Sequence, residues 1–393
     1  MSMKLPIYLD YAASSPVDEL VAAAMSHCLT MDGVFANPAS RSHIYGWKAE
    51  EQVEIARRNV ADLLAVDARE IIWTSGATES NNLAIKGLFE GNSEAAADAE
   101  LYSGHIITSL IEHKAVIDPV KWLEGKGVTV TWLSPNAEGY IEPQQVQQAL
   151  RADTRLVSLM HVNNETGVIN PIAEIAEVCR AAEVLLHVDA AQSAGKLDIN
   201  IEALGADLLS LSAHKFYGPK GVGALYVKRA LQQGAIAPII HGGGHERGMR
   251  SGTLATHQLV GMGEAAKIAK QRLGEDQQNL AALRDQLWQG ISDLPGVRRN
   301  GSAEQVSPGH LNICFAGMDG ETLLLSLREL AVSSGSACTS ASMEPSYVLS
   351  AMGLSAEDAH SSLRLSVGRY TRSDDIERAI AHIRQVVGSL LAA

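Results

Sequence analysis

The sequence contains no cluster of lysine and arginine residues, and its 32 basic residues are outnumbered by 45 acidic ones, which leaves a net charge of −13. A surface of this sign repels phosphate backbones, so we expect no direct contact with nucleic acid. The sequence also lacks an apolar stretch of the roughly 18 to 20 residues that cross a bilayer, and Asp10 comes too early for a secretory signal peptide. These absences predict a cytoplasmic protein without a membrane span.

Cysteine is scarce, because the 393 residues include only Cys28, Cys179, Cys314 and Cys338. Their wide spacing fits neither a disulfide framework nor paired metal ligands. Cys338 lies in the segment 333–342, SSGSACTSAS, which has no bulky side chain to pack into a core. This composition predicts a mobile loop with an exposed thiol, a small fraction of which is ionised and nucleophilic at neutral pH. Cys28 and Cys179 lie in helical patterns and Cys314 in a strand pattern, where buried thiols are expected.

Hydrophobic side chains make up 46% of the chain and charged ones 20%, which is the balance of a compact globular protein with a large core. Apolar runs typical of buried strands alternate with amphipathic segments such as 47–64. This alternation predicts an α/β fold with a mostly parallel sheet covered by helices. The strands predicted for this region are 70–74, 105–109, 128–132, 155–161, 184–188, 207–212 and 222–227.

Beyond residue 254 the pattern changes. One long helical run, 255–294, precedes strands at 311–315 and 362–367 and helices at 321–330 and 373–390. We therefore expect a large α/β domain over 18–270 and a small α+β domain formed by 1–17 and 271–393, which carries the cysteine loop. The alanine-rich, acidic segment 91–104 is expected to form a surface loop.

Two of the predicted strands end in residues of opposite charge. Lys215 follows strand 207–212 in the motif SAHKFYGPKG, and Asp189 ends the motif LLHVD. Because strand ends of α/β sheets border the ligand crevice, a desolvated amine at Lys215 suits Schiff-base chemistry, and a carboxylate at Asp189 could keep a pyridine nitrogen protonated. An exposed lysine and a helix-capping aspartate are the alternatives. The two residues together favour a pyridoxal phosphate (PLP) site.

Further polar groups follow other predicted strands. The turn SGATES, residues 75–80, opens a helix whose free N–H groups and Thr78 hydroxyl suit a phosphate, while an ordinary cap involving Glu79 is the alternative. His113 could stack on an aromatic cofactor and carry protons, although an isolated histidine is more often structural. Arg364 lies within an apolar strand, where its guanidinium needs an anion, either a substrate carboxylate or an internal one.

Together these motifs resemble the class V branch of PLP enzymes with the aspartate aminotransferase fold, and more closely the cysteine desulfurases of the NifS/IscS type. The matching segments are YLDYAA (8–13), NPASRSH (37–43), 75–80, 163–167, 187–192, 212–221, 242–253, 333–347 and 361–369. They extend over nearly the whole chain, and the 242–253 motif with the long cysteine loop is similar to the housekeeping IscS group. The resemblance implies the PLP-dependent transferase fold of type I, with a mostly parallel large domain and a smaller α+β domain.

The resemblance also implies roles for individual residues. Lys215 would bind PLP covalently, Asp189 would pair with the pyridine nitrogen, and Gln192 would hydrogen-bond the ring hydroxyl. His113 would stack over the ring. The remaining implied contacts are to the PLP phosphate from Ala77, Thr78, Ser212, His214 and Thr253, and to cofactor and substrate from Asn164 and Arg364. Thr253 would come from the second subunit of a homodimer, and Arg364 would grip the substrate carboxylate.

The implied reaction converts L-cysteine to L-alanine. Lys215 would remove the Cα proton, Cys338 would take the sulfur as a persulfide, and His113 would exchange protons. Implied acceptors are iron–sulfur scaffold proteins and tRNA-thiolation proteins, and Cys338 would ligate metal only transiently, in an iron–sulfur cluster shared with a scaffold. The alternatives are a selenocysteine lyase, a cysteine sulfinate desulfinase and, outside the enzymes, a cofactor-free sulfur-carrier subunit.

Overall fold

The computed structural model describes residues 5–91, 102–334 and 345–392. Its strands are β1 Ile7–Tyr8, β2 Ile71–Thr74, β3 His105–Ser109, β4 Thr129–Leu133, β5 Thr154–Met160, β6 Leu185–Asp189, β7 Leu208–Ser212, β8 Gly223–Val227, β9 Val297–Arg299, β10 His310–Phe315, β11 Leu330–Ala331, β12 Ser333–Ser334 and β13 Ser362–Ser366. Its α-helices are α1 Glu19–Ser26, α2 Ile44–Leu64, α3 Ala77–Gly91, α4 Lys114–Glu124, α5 Pro143–Ala149, α6 Ile172–Ala181, α7 Ile201–Leu204, α8 Thr256–Gln289, α9 Gly320–Ser326, α10 Tyr347–Ala351, α11 Ala356–His360 and α12 Ser373–Leu391.

Seven strands form a central sheet in the order β2-β8-β7-β6-β5-β3-β4. Neighbours from β7 to β4 are parallel, and β8 runs antiparallel to both β2 and β7. Strands β2, β3, β7 and β8 are buried along their whole length, as expected when helices cover both faces. The predicted α/β fold is confirmed, and the predicted strands of this sheet match to within one residue at each end.

Side chains of this sheet alternate between two cores. In β3, Ile107 packs into a cluster with α2, α6 and α8, whereas its neighbour Ile106 packs against α3 and α4 on the opposite face. This alternation is the period of two that a strand imposes on its side chains. It leaves the carboxyl ends of the parallel strands, rather than either face, open to a ligand.

A second, smaller core forms around four antiparallel strands in the order β12-β13-β10-β9. The N-terminal residues Ile7 and Leu9 pack into this core, where Ile7 pairs with Leu330 across the parallel strands β1 and β11. Helix α12 covers the core with Ile376 and Ile383.

Helix α8 contributes to both cores. Its residues Leu259 and Met262 pack beside the central sheet, whereas Leu280 and Leu287 pack in the smaller core. The domain boundary predicted near residue 270 falls inside this continuous helix and stays a prediction. None of the helices within the described ranges is long and apolar enough to cross a membrane.

Three local predictions differ from the structure. The helix predicted over 321–330 ends at Ser326, and Leu330 lies in a strand. The start predicted for the cysteine loop, residue 333, is wrong, because Ser333 and Ser334 belong to strand β12 and pair with β13. Cys28 lies two residues beyond the end of α1 rather than within a helix. The rest of the predicted cysteine loop lies outside the described residues, as does most of the predicted 91–104 loop.

Candidate active site

The carboxyl ends of β5, β6 and β7 lie side by side, with Met160 opposite Asp189 and Asp189 opposite Ser210. The segments that follow these strands border a cavity of about 610 Å³. The predicted site residues that line it are Ala77, Thr78, His113, Asn164, Asp189, Gln192, Ser212, His214, Lys215 and Arg364. Thr253 is exposed and is absent from this lining, and Cys338 lies outside the described residues.

Lys215 reaches the cavity from a short 3-10 turn, Ala213–Lys215, directly after β7. Its Nζ donates hydrogen bonds to the carbonyl oxygens of Ala12 at 2.7 Å and Ala13 at 2.9 Å, and the side chain is half-buried. The turn continues through Tyr217, whose φ of 68° lies in the left-handed region that a bulky residue rarely adopts. The structure therefore brings this amine inward, unlike the exposed lysine that was the alternative.

Asp189 is buried at the end of β6 and is held by two donors. Its Oδ2 accepts from Asn81 Nδ2 at 2.7 Å, and its Oδ1 accepts from the Ala191 backbone N–H at 2.9 Å. The second contact is the capping arrangement that the sequence left open, and it coexists with a position on the cavity wall. Asn81 was missed in the sequence because its partner lies 108 residues away.

The start of α3 forms the adjoining wall of the cavity. Gly76 has a φ of 152°, which favours glycine, and a Cβ at Gly223 would lie only 2.6 Å from the Gly76 Cα, so the absence of a side chain at Gly223 allows the two backbones to approach closely. Glu79 accepts from the Ser75 N–H at 2.7 Å and from Arg250 Nε at 2.8 Å. The ordinary cap involving Glu79 is thus present, and the helix start beside it still faces the cavity and is suited to an anion.

His113 caps α4, with its Nδ1 accepting from the Ala115 N–H at 3.1 Å. A neutral ring that accepts at Nδ1 carries its proton on Nε2. Burial lowers the pKa of His113, Asp189 opposes this shift, and the positive charge of Lys215 adds to it. Behind it, the buried Glu112 carboxyl accepts from Ser109 Oγ at 2.6 Å, and desolvation raises the pKa of Glu112 to about 8.

Arg364 reaches the cavity from the middle of β13. One terminal N–H group donates to Asp10 Oδ1 at 2.7 Å, and the other donates to the Asn164 carbonyl at 2.9 Å. The internal ion pair that the sequence left open therefore exists. Yet Arg364 Nε and Asn164 Oδ1 are buried without a hydrogen-bond partner among the described residues. One donor and one acceptor at this wall are therefore available to a ligand.

Gln192 and His214 complete the site beneath the N-terminal segment. Gln192 is buried, with Nε2 donating to the Ala12 carbonyl at 2.8 Å and Oε1 accepting from Lys196 Nζ at 3.1 Å. The ring Nδ1 of His214 lies 3.2 Å from Ser14 Oγ. Burial, followed by the charge of Lys215, lowers the pKa of His214 to about 4, so this imidazole is neutral at physiological pH.

The three cysteines that the structure describes are all buried, as predicted. Desolvation raises the pKa of each thiol, for Cys179 to about 12. A protonated, buried thiol is a poor nucleophile. Ser333 and Ser334, which precede the segment containing Cys338, line the cavity itself. Within the described ranges, no group of three or more His, Cys, Asp or Glu side chains could hold a metal ion.

The sequence matches the family Aminotransferase class-V over residues 7–379. Among solved structures, a "NifS-like protein" superposes with a TM-score of 0.88 and 34% identity, covering 98% of this chain and 100% of that one. A structure described as "SspA in complex with cysteine" superposes with a TM-score of 0.81 and 40% identity, covering 93% and 99%. The fold and the family match define a member of the class-V aminotransferase family.

Curated relatives narrow this assignment. The protein named "Cysteine desulfurase IscS" from Aeromonas salmonicida is 58% identical over 391 residues, covering 99% of this chain and 94% of that protein. Its namesake from Tolumonas auensis is also 58% identical, over 389 residues, with the same coverage. Identity at this level over nearly the whole length places the chain among the IscS-type members of the family.

Class-V aminotransferases are PLP enzymes, and the residues of the cavity fit that cofactor. An amine, a buried carboxylate and an anion-binding helix start face one cavity, through Lys215, Asp189 and Thr78. The buried Asn164 Oδ1, which has no hydrogen-bond partner in the described part of the chain, offers a further polar contact. The chain is therefore a PLP-dependent enzyme.

Proposed function

We propose that this chain is a cysteine desulfurase, which releases L-alanine from L-cysteine and transfers the sulfur to Cys338 as a persulfide. One observation carries the proposal: the Lys215 amine, the Asp189 carboxylate and the Arg364 guanidinium line one cavity. The high identity to relatives named cysteine desulfurase supports the choice of substrate.

PLP, when bound, supplies an electron sink for the pair of electrons left at the substrate Cα. Lys215 Nζ would hold the cofactor and, once exchanged for the substrate amine, would take the Cα proton. Asp189, fixed by Asn81 and the Ala191 N–H, would accept a hydrogen bond from the protonated ring nitrogen. The neutral His113, with its proton on Nε2, would deliver a proton to the product. Ala77, Thr78, Ser212 and His214 would contact the phosphate.

Arg364 would bind the substrate carboxylate. Its buried Nε has no hydrogen-bond partner in the described part of the chain, and the terminal nitrogen beside it is already oriented by Asp10. A carboxylate that uses this edge gains two parallel charge-assisted hydrogen bonds. Asn164 would complete the contact from the same wall of the cavity.

The transfer of sulfur would take place at Cys338. Its thiolate would attack the substrate sulfur and form an S–S bond. The Cβ–S bond of the substrate would break and leave its electron pair on Cβ, which is then protonated to give alanine. Cys338 follows Ser334 by four residues, and four residues span at most about 14 Å. Ser334 lines the cavity, so a span of this length would allow a thiol at position 338 to reach a bound substrate.

We also propose that the active unit is a cytoplasmic homodimer that passes sulfur to iron–sulfur scaffold and tRNA-thiolation proteins. The exposed Thr253 follows the glycine-rich loop 242–248, which is anchored by buried contacts of Glu246, and Thr253 does not line its own cavity. It would contact the PLP phosphate of the second subunit.

The proposal is tested by incubating the purified holoenzyme with L-cysteine and a reductant, and quantifying alanine and sulfide together. We expect equal amounts of both. Without reductant, a persulfide label should appear on wild type and on the matched variant Cys28→Ala, but not on Cys338→Ala, which should keep the visible PLP band. Sulfur transfer by Cys338→Ala at the wild-type rate would refute the assignment of that residue.

The same assay separates the alternatives. Faster turnover of selenocysteine or cysteine sulfinate than of cysteine would indicate the related lyases. Protein that shows no visible absorption band even after PLP is added would instead indicate a cofactor-free sulfur carrier.

A further inference from the structure

Behind the proposed PLP site lies a second lysine, Lys196, to which neither the sequence motifs nor the proposed reaction assigns a role. It lines a small cavity behind the active site together with Lys215, Tyr11, Tyr217 and His310. Desolvation lowers the pKa of Lys196 to about 7, and the nearby charges of Lys215 and Arg364 act in the same direction. An amine is costly to bury without a partner, so the contacts that it makes are informative.

The partner of Lys196 is the side-chain amide of Gln192. Lys196 Nζ donates to Gln192 Oε1 at 3.1 Å, while Gln192 Nε2 donates to the Ala12 carbonyl at 2.8 Å. The same carbonyl accepts from Lys215 Nζ at 2.7 Å. Lys196, Gln192, Ala12 and Lys215 thus form one continuous hydrogen-bonded chain.

This chain fixes the orientation of the Gln192 amide. Lys196 Nζ donates to Gln192 Oε1, and the Ala12 carbonyl oxygen can only accept. A flipped amide would place Oε1 against the Ala12 carbonyl and lose that hydrogen bond, whether Lys196 is protonated or neutral. In the orientation described, Nε2 has a second N–H, and Gln192 lines the active-site cavity.

We propose that Lys196 is a positioning residue that holds Gln192 with an N–H group available to the cofactor ring hydroxyl. The inference rests on the proposed PLP site at Lys215. The ring oxygen of the cofactor would share a proton with the Lys215 nitrogen joined to it. A hydrogen bond donated to that oxygen stabilises its negative charge once this proton is lost, and so lowers the pKa of the Lys215 nitrogen. When Lys196 is protonated, its positive charge acts in the same direction.

Other ionisable groups border the same two cavities, and the test must leave them unchanged. They are Asp10, Tyr11, Glu79, His113, Asp189, His214, Tyr217, Lys220, His310 and Arg364. The variants below change only positions 192 and 196 and, as a control, position 267, so these groups are the same in both members of every comparison.

The experiment is a pH titration of the visible absorption band of the holoenzyme. In Lys196→Met we expect the midpoint to rise by about 0.5 to 1 pH unit, a three- to tenfold tighter hold on the proton. Lys196→Gln, whose amide still donates, should shift less and provides a second variant if the methionine variant folds poorly. Lys267→Met removes a surface lysine paired with Glu264 and should leave the midpoint unchanged.

A double substitution distinguishes positioning from charge. In a Gln192→Ala background, Lys196→Met should shift the midpoint by less than half of its effect in the wild type, because the residue through which it acts is gone. An equal shift in both backgrounds, or an unchanged midpoint in Lys196→Met, would overturn the inference. Wild-type holoenzyme whose visible band does not change with pH would also overturn the inference, whereas protein without any visible band after PLP is added would refute the proposed PLP site.

Discussion

At the scale of single residues, the groups proposed to react are oriented by neighbours that do not react. Asn81 and the Ala191 N–H fix the Asp189 carboxylate, and Asp10 fixes one terminal nitrogen of Arg364. Lys215 and Asp189 could be proposed from the sequence because Asp189 ends one apolar strand and Lys215 lies three residues beyond the end of another. The supporting side chains of Asn81 and Asp10 could not, because they lie 108 and 354 residues from the groups that they hold.

Arg364→Lys tests the proposed substrate carboxylate site. A lysine keeps the charge but loses the two-pronged geometry, so we expect KM for L-cysteine to rise roughly 10- to 100-fold, equivalent to about 1.4 to 2.7 kcal/mol, with a smaller change in kcat. Steady-state kinetics measure this split. Arg384→Lys, at an exposed pair with Asp293, is the matched control and should behave as wild type. An unchanged KM in Arg364→Lys would contradict the role.

Glu112→Gln tests the buried carboxyl behind His113. The pKa of Glu112 is raised to about 8, so the folded protein binds a proton that the unfolded chain releases near pH 4.5. This contribution to stability is present in acid and is lost as pH rises toward 8. The variant cannot ionise, so its free energy of unfolding should exceed that of the wild type increasingly with pH, by roughly 2 to 4 kcal/mol at alkaline pH.

Urea denaturation of both proteins at mildly acidic and mildly alkaline pH provides the comparison. Groups common to both proteins cancel in the difference. A difference that stays constant with pH would show that Glu112 is already ionised in the folded protein near neutrality.

At the scale of elements, the strands of the central sheet were predictable because most of them are short apolar runs. The helix predicted over 321–330 shows where such local patterns stop being sufficient. Leu323, Leu327 and Leu330 recur at helical spacing, and all three are buried. Leu330, however, is buried by pairing with Ile7, a contact between distant parts of the chain that no local periodicity contains.

Glu246→Ala tests how the glycine-rich loop is anchored. Its buried carboxylate accepts from two Arg57 nitrogens at 2.7 and 2.9 Å and from the Trp73 N–H at 2.8 Å. Glu246→Ala leaves the buried arginine without its main partner, and we expect a loss of about 3 kcal/mol in the free energy of unfolding.

The matched control for this change is Glu54→Ala. Glu54 also lies 3.0 Å from Arg57, but its side chain is 45% exposed. Glu54→Ala should lower the free energy of unfolding by less than about 1 kcal/mol, with both variants measured by urea denaturation. Equal losses in the two variants would mean that burial of the Glu246 pair contributes nothing to anchoring the loop.

At the scale of the whole molecule, the proposed exchange of Thr253 between subunits can be tested by complementation. Lys215→Ala and Thr253→Ala homodimers should each be impaired, the second through weaker PLP binding, by about tenfold. A mixed dimer has one site with both substitutions and one site with neither. Activity at limiting PLP should therefore rise when the two variants are unfolded and refolded together.

Refolding each variant alone is the control, and neither should gain activity over its untreated form. Mixing without any gain, in a preparation shown by mass to contain mixed dimers, would place Thr253 outside the partner's site.

The helix α8 has a consequence for how the molecule unfolds. Its 34 residues supply Leu259 and Met262 to one core and Leu280 and Leu287 to the other. Unfolding of either core therefore exposes apolar side chains of the same helix. Calorimetry of the chain should accordingly record one heat-absorption peak instead of two. A fragment that ends at residue 270 should fail to fold alone, because it lacks the second half of α8 and the core against which that half packs.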